Sequence, residues 1–337
     1  MTAPVRIGIM GCADIARRRL LPAFAADPDI HIAAIASRDA ARAHDLAAQY
    51  TCTPITGYDR LLADPTIEAV YIPLPVSLHA EWIERALLAG KHVLGEKPLT
   101  PDLAATARLY ALAAERNLLL AENFMFPHHA RNTKVRELLT QNTIGDLRTL
   151  TAVFAIPPPP PDDIRYRPDL DGGALMDIAV QPLYAALFFL GLEVQVRGVS
   201  LRHHPDHKID TGGAILLTTP TGTTAQITFG MEHSYRSAYE LWGSAGRIIV
   251  ERAYAPPANE PPVIRLELAG GTEDLVLKPD DQVRNAVHAF AHAIRDRPSA
   301  QTPDRSLTLA RLLADVKAAA DPWSSPDKAR GEPARTA

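Results

Sequence analysis

The first apolar strand of this chain runs straight into a glycine turn, and that junction limits what the chain can become. Residues 5–16 read VRIGIMGCADIA, with Val5, Ile7 and Ile9 alternating towards Gly11, and Ile15 and Ala16 opening a helix. Gly11 carries no Cβ, so it suits a tight turn that leaves bare N–H groups at a helix start, where the helix dipole favours an anion. Ala16 is small enough to let the helix pack closely on the strand. The spacing G-x-G-x-x-A is filled by Gly11, Ala13 and Ala16. This is a variant of the βα dinucleotide fingerprint, and by itself it also fits an ordinary tight βα turn. Gly11, Cys12, Ala13, Asp14 and Ile15 are the residues such a turn sets against a pyrophosphate.

The pattern then repeats. Apolar strands are predicted at 31–36, 53–56, 68–73, 91–94 and 118–122, alternating with helices at 15–26, 40–49, 58–62, 78–89 and 101–116. Alternation of this kind builds a parallel, doubly wound sheet, whose ligands bind beyond the carboxyl ends of the strands. Four of those ends carry usable chemistry. Ser37-Arg38 ends the second strand, where a hydroxyl and an arginine suit a ribose 2′-phosphate and favour NADP over NAD, with Asp39 pulling the other way. Leu74 and Pro75 form a proline-bounded loop at the cofactor edge, followed by His79, which reads either as a cofactor contact or as a plain helix-start histidine. Gly95-Glu96-Lys97-Pro98 places Glu96 and Lys97 near a nicotinamide, with a cis bond possible at Pro98; a solvated ion pair is the bland alternative. Asn123 opens an aromatic crossing, NFMFPHH, and is compatible with a polar contact to substrate or nicotinamide.

Beyond residue 147 the periodicity changes to alternating strands, at 147–156, 194–203, 213–218, 223–229, 239–242 and 247–252, read as a largely antiparallel open sheet. An apolar helix is predicted over 174–190, in which Asp177 and Gln181 lie four apart on one face. Closing helices are predicted at 281–295 and 307–320. The expected organisation is a Rossmann-type α/β domain over 1–122, an α+β substrate and oligomerisation domain over 123–320, and a disordered tail at 321–337.

Composition narrows the partners. The 337 residues carry 35 Lys and Arg against 39 Asp and Glu, with no basic stripe for nucleic acid and no polybasic membrane patch. The two cysteines, Cys12 and Cys52, give neither a disulfide framework nor metal-ligand spacing, so no metal is expected. No leader or membrane span is read, and a cytoplasmic location with a small-molecule partner is expected.

Taken together, GCADIA at 11–16, GEKPLT at 95–100, ENFMFPHH at 122–129, DIRYR at 163–167, GGALMDIAVQPL at 172–183 and TFGMEHSYRSAYELWGS at 228–244 resemble the glucose–fructose oxidoreductase / inositol dehydrogenase / MocA family. Within it the chain is most similar to NDP-hexose 3-ketoreductases of deoxysugar biosynthesis. The resemblance spans residues 5 to about 320 and implies NADPH-dependent reduction of a keto group, C3 by preference, on a nucleotide-linked deoxyhexose. It implies that Lys97 hydrogen-bonds the reacting oxygen and assists its proton transfer. Glu96 and Pro98 then shape the nicotinamide ribose site, and Asp177 is the acidic residue opening the substrate helix. Gln181 stands where the subgroup has tyrosine and many relatives have histidine. A carboxamide binds an oxygen but yields no proton, so the alternative reading is action on another ketone or an enone, a non-redox step, or a binding role with retained cofactor. Phe126, His128 and Arg165 are expected at the substrate, with Arg165 and either His128 or His129 at its diphosphate or base. Large apolar residues on the second-domain sheet, Phe229, Met231 and Trp242, are expected to pack on another subunit in a homodimer or homotetramer.

Overall fold

Six parallel strands form the first sheet: β1 (Val5–Met10), β2 (Ile30–Ser37), β3 (Thr53–Thr56), β4 (Ala69–Ile72), β5 (His92–Gly95) and β6 (Leu120–Glu122), ordered β3-β2-β1-β4-β5-β6. The computed structural model describes residues 3–296 and 304–320, so the tail predicted at 321–337 lies outside the described residues. Strand order reverses between β1 and β4, which opens the switch-point crevice where dinucleotides bind. Ile7 and Ile9 of β1 and Ala69, Val70, Tyr71 and Ile72 of β4 are fully buried. Helices cover both faces of this sheet, which is why its strands read as continuous apolar runs. One face packs on α1 (Leu21–Ala26) and α2 (Ala40–Gln49); the other packs on α3 (Tyr58–Ala63), α4 (His79–Leu88) and α5 (Leu103–Glu115).

Two helices predicted as continuous each begin with a wide π-helical turn, Ala16–Leu20 before α1 and Leu175–Ala179 before α7 (Val180–Leu190). Each turn is followed by a proline, Pro22 or Pro182. Proline has no N–H for the carbonyl four residues back and its ring crowds that carbonyl, so the regular ladder is displaced there. Leu21 N–H accordingly bonds the carbonyl of Ala16.

The second sheet has eight strands: β7 (Leu147–Ala155), β8 (Gln195–His203), β9 (Asp210–Thr218), β10 (Thr224–Gly230), β11 (Arg236–Gly243), β12 (Gly246–Glu251), β13 (Val263–Leu268) and β14 (Gly271–Val276). Their order is β14-β13-β12-β11-β7-β10-β9-β8, antiparallel except where β7 and β10 run parallel. Helix α7 lies on its inner face, contributing Leu183, Ala186 and Leu187 to a core with Leu150, Ile227 and Leu241. The apolar stretch that ends at Leu190 is thus an interior helix, 78% buried over its most apolar window.

The structure corrects the sequence reading in three places. Helix α8 (Gln282–Asp296), assigned to the second unit, packs Val283, Val287, Phe290 and Ile294 into the core of the first, against Leu21 and Phe24. His288 and His292 of α8 also face Asp27 and Asp29 in the loop after α1. Helix α9 (Asp304–Ala320) stays with the second core through Leu309, Leu312 and Val316. Phe229 and Met231 are fully buried beneath the second sheet rather than on its open face, whereas Trp242 is 60% exposed. A helix at Ala130–Thr140 (α6) and the strands β13 and β14 were not anticipated.

Candidate active site

A cleft of about 1170 Å³ runs along the carboxyl ends of the parallel strands and is closed on its far side by α7 and the segment before it. At one end is the glycine turn. Gly11 has φ +117°, a backbone conformation that favours glycine, and an added Cβ would also press on Leu74 Cδ2 at 3.1 Å. Cys12, Ala13, Asp14 and Ile15 line the cleft beside it. Asp39, the residue that argued for NAD, also lines the cleft, but its Oδ1 caps α2 by accepting from the N–H groups of Ala41 and Arg42, at 2.9 and 3.2 Å. The Ser37 hydroxyl and Arg38 share this end of the cleft. Arg17, Arg19 and Arg42 join them, and Arg42 donates to the carbonyl of Cys12 at 3.2 Å. Sequence reasoning overlooked these three arginines because helical residues announce a site only once the helix is placed over the turn.

Near the middle of the cleft, Glu96 is a buried hub. Its Oε1 accepts from Tyr71 Oη at 2.6 Å and from Asn123 Nδ2 at 2.7 Å. The two residues expected at the nicotinamide, Glu96 and Asn123, therefore hold each other at the cleft wall. Leu74, Pro75 and His79 also line it, but the His79 ring is spent on main-chain carbonyls: Nδ1 lies 3.0 Å from Pro98 O and Nε2 2.8 Å from Leu74 O. The Lys97–Pro98 peptide is cis.

Lys97 reaches across the cleft to the second domain. Its Nζ donates to Asp177 Oδ1 at 2.6 Å and to Asp177 O at 2.9 Å, while Arg165 Nε donates to Asp177 Oδ2 at 2.5 Å. Arg165 is also gripped by both oxygens of Asp163 at 3.1 Å. Burial opposes ionisation of Asp177, but the two cations outweigh it and hold its carboxyl well below the usual carboxylate range. Asp177 is thus a fixed negative partner and no proton donor. Gln181, one turn on, lines the same cleft wall.

Phe126 and His128 do not belong to the cleft. Phe126 is 1% exposed and stacks among Tyr184, Phe188 and Tyr254 in the second core. His128 accepts through its carbonyl from Asn285 of α8, and burial pushes its imidazole pKa down. Tyr184 faces the core too, stacked on Phe124.

The matching family models are an oxidoreductase family with an NAD-binding Rossmann fold, over residues 5–124, and the GFO/IDH/MocA C-terminal domain, over residues 132–249. The chain belongs to the GFO/IDH/MocA family. This member is 54% identical over 292 residues to a dTDP-3,4-didehydro-2,6-dideoxy-α-D-glucose 3-reductase from Streptomyces violaceoruber, covering 86% of this chain and 85% of that one. It is 50% identical over 291 residues to the enzyme of the same name from Actinomadura kijaniata, covering 86% and 88%. A solved 3-ketoreductase from Actinomadura kijaniata, in complex with NADP and TDP-benzene, superposes with a TM-score of 0.92 at 47% identity, covering 94% of this GFO/IDH/MocA chain and 98% of its own.

Proposed function

We propose that this protein is an NADPH-dependent ketoreductase acting on C3 of a dTDP-linked 3-keto-deoxyhexose, as its named relatives do. The observation that carries the reading is the Lys97–Asp177 contact: a lysine from the cofactor domain is paired with a carboxylate from the substrate domain, in a cleft that joins them. The cleft fits NADPH. A side chain at position 11 would press into the turn, Ser37 and Arg38 stand at the strand end, and the competing carboxylate of Asp39 is engaged through one oxygen in a helix cap.

Bound NADPH supplies a hydride to the ketone carbon. Lys97 hydrogen-bonds the ketone oxygen, neutralises the charge that grows on it and gives it a proton, so that ketone, hydride and proton balance as alcohol. Asp177 aims the lysine and stays ionised. Gln181 orients a sugar oxygen by hydrogen bonds, leaving the proton to Lys97. Arg165 is the cation nearest a substrate diphosphate, and it reaches one by exchanging Asp163 for phosphate oxygens. The reading places the enzyme in the cytoplasm.

A second copy of this chain is the partner we assign to the outer face of the eight-stranded sheet. Thr149, Thr151, Thr224, Gln226 and Thr228 share that face with Trp242 and Leu216, which are 60% and 41% exposed. The charges on that face, Arg247 with Glu240 and Glu267, are paired with one another beside Trp242, and a face of threonines, paired charges and large exposed apolar residues suits an isologous contact.

The test is turnover of NADPH with dTDP-3,4-didehydro-2,6-dideoxy-α-D-glucose, with formation of the C3 alcohol followed by mass spectrometry. Absence of the C3 alcohol with this substrate and with other dTDP-linked 3-keto sugars removes the reading.

A further inference from the structure

Lys97 sits on a loop, and a loop lysine keeps a proton-transfer geometry only if the backbone beside it is fixed. The amino side of the loop is fixed by β5, where Gly95 pairs with Ile72 and Glu122. Its carboxyl side leaves the sheet. There, two side chains from separate elements grip consecutive residues. His79, at the start of α4 and 1% exposed, stands between Pro98 O and Leu74 O at 3.0 and 2.8 Å. Glu122, at the end of β6, accepts the N–H of Leu99 on Oε1 at 2.8 Å.

Neither group has another task in this site. A neutral imidazole donates from one nitrogen only, so one of these two contacts is a hydrogen bond, to Pro98 O in the Nδ1–H tautomer, and the carbonyl at the other nitrogen leaves no ring atom open to a ligand. Glu122 Oε2 is buried with no hydrogen-bond partner among the described residues, so this carboxyl is kept inside against its desolvation cost. Burial also pushes the Glu122 pKa up to about 7. A glutamine there would keep the acceptor for Leu99 without that cost.

We propose that His79 and Glu122 are positioning residues that clamp the Pro98 carbonyl and the Leu99 N–H, and thereby aim Lys97 at the reacting oxygen. The inference rests on the ketoreductase reading for the role of Lys97, but the clamp itself is a statement about the backbone. His79 also packs between the Lys97 loop and the Leu74–Pro75 loop at the cofactor edge, so one buried ring borders both loops. A misplacement on the order of 1 Å at a proton donor costs about a hundredfold in rate.

Hydrogen exchange read by mass spectrometry, on the full chain without substrate, tests the clamp. His79→Ala and Glu122→Ala should each speed exchange of the Leu99 amide about tenfold or more, with the β1 and β4 amides unchanged. Both should lower kcat about 10- to 100-fold while the NADPH dissociation constant moves less than about threefold. Glu122→Gln should keep slow exchange and near-native kcat, and His79→Gln should recover part of the loss. If Glu122→Ala leaves Leu99 protected and kcat unchanged, there is no clamp. If His79→Ala weakens NADPH binding in proportion to its loss of kcat, His79 is a cofactor ligand instead. Should His79→Ala fail to fold, the Glu122→Ala and Glu122→Gln pair decides alone. A native chain inactive on every nucleotide ketosugar strikes the ketoreductase reading and leaves the exchange result standing.

Discussion

Lys97 Nζ meets Asp177 Oδ1 at 2.6 Å, and the other oxygen of that carboxylate is held by Arg165 at 2.5 Å. The lysine belongs to the Rossmann domain, and the aspartate lies in the π-helical turn before α7. The contact therefore spans the cleft, and a ketone oxygen that binds Lys97 enters an electrostatic field already set by a fixed anion. Asp177→Asn removes that anion and leaves two cations facing each other. It should lower kcat about 10- to 100-fold with a smaller change in NADPH affinity. A variant with native kcat would show that the pair only joins the domains.

The pH dependence of this pair has a definite sign. The folded-state pKa of Asp177 is depressed, so its stabilisation is present above the ordinary carboxylate pKa and is lost only as pH falls through the lower folded value. Urea unfolding should therefore show the same Asp177→Asn penalty, about 1–3 kcal/mol, at pH 5.5 as at pH 8 (~pH values well above that range). Glu122 behaves oppositely. Its pKa is raised from 4.5 to about 7 by burial, so ionising it costs stability progressively between those values. Glu122→Gln should raise stability by about 3 kcal/mol above pH ~8 and by almost nothing below pH ~4.5. An equal gain at both ends would place the effect outside this titration.

At the other end of the cleft, Ser37 and Arg38 predict tighter binding of NADPH than of NADH. Arg38→Ala should remove most of the preference, a loss of about 10- to 100-fold in NADPH affinity, with NADH little changed. Equal dissociation constants for the two cofactors in the native protein, by fluorescence titration, would contradict the assignment.

Much of this site was legible because Gly11, Ser37, Arg38 and Lys97 sit at strand ends and Asp177 and Gln181 lie four apart at the start of one helix, where local chemistry and position are read together. Gly11, Ser37, Arg38, Lys97 and Asp177 all line one cleft, and so does Gln181. Phe126 and His128 were misplaced because the run FMFPHH gives no period that separates a core face from a cleft face; packing against Tyr184 and Phe188 decides it. Helix α6 escaped because its sequence, ARNTKVRELLT, is mostly polar. It is anchored instead by buried Arg131, which donates to the carbonyls of Glu251, Arg252 and Ala253 at 3.1, 3.2 and 3.0 Å. Strand β14 is exposed at five of its six positions, with Glu273 and Asp274 among them, and it and its neighbour β13 look like loop. The return of α8 to the first core depends on contacts across more than 250 residues of chain, as between His288 and Asp27 at 3.1 Å, which no local pattern reveals.

For the outer sheet face, Trp242→Glu places a charge at the centre of the proposed contact between copies. Light scattering should show a dimer or tetramer for the native chain and a monomer near 36.6 kDa for the variant at micromolar concentration. A native monomer would remove the contact.

Gln181 bears on how the proton is shared. Gln181→Tyr adds a phenol one turn from Asp177 and should preserve or raise ketoreductase activity, since a second donor then faces the substrate. Activity that appears only in this variant would show that the native chain does not reduce ketones.

The account stands most directly on Lys97. Turnover of dTDP-3,4-didehydro-2,6-dideoxy-α-D-glucose, followed by loss of NADPH absorbance, should be robust in the native protein. It should fall by about 10² to 10⁴ in Lys97→Ala, with the NADPH dissociation constant nearly unchanged. A Lys97→Ala variant that turns over at the native rate would contradict the assignment of Lys97 as the proton donor.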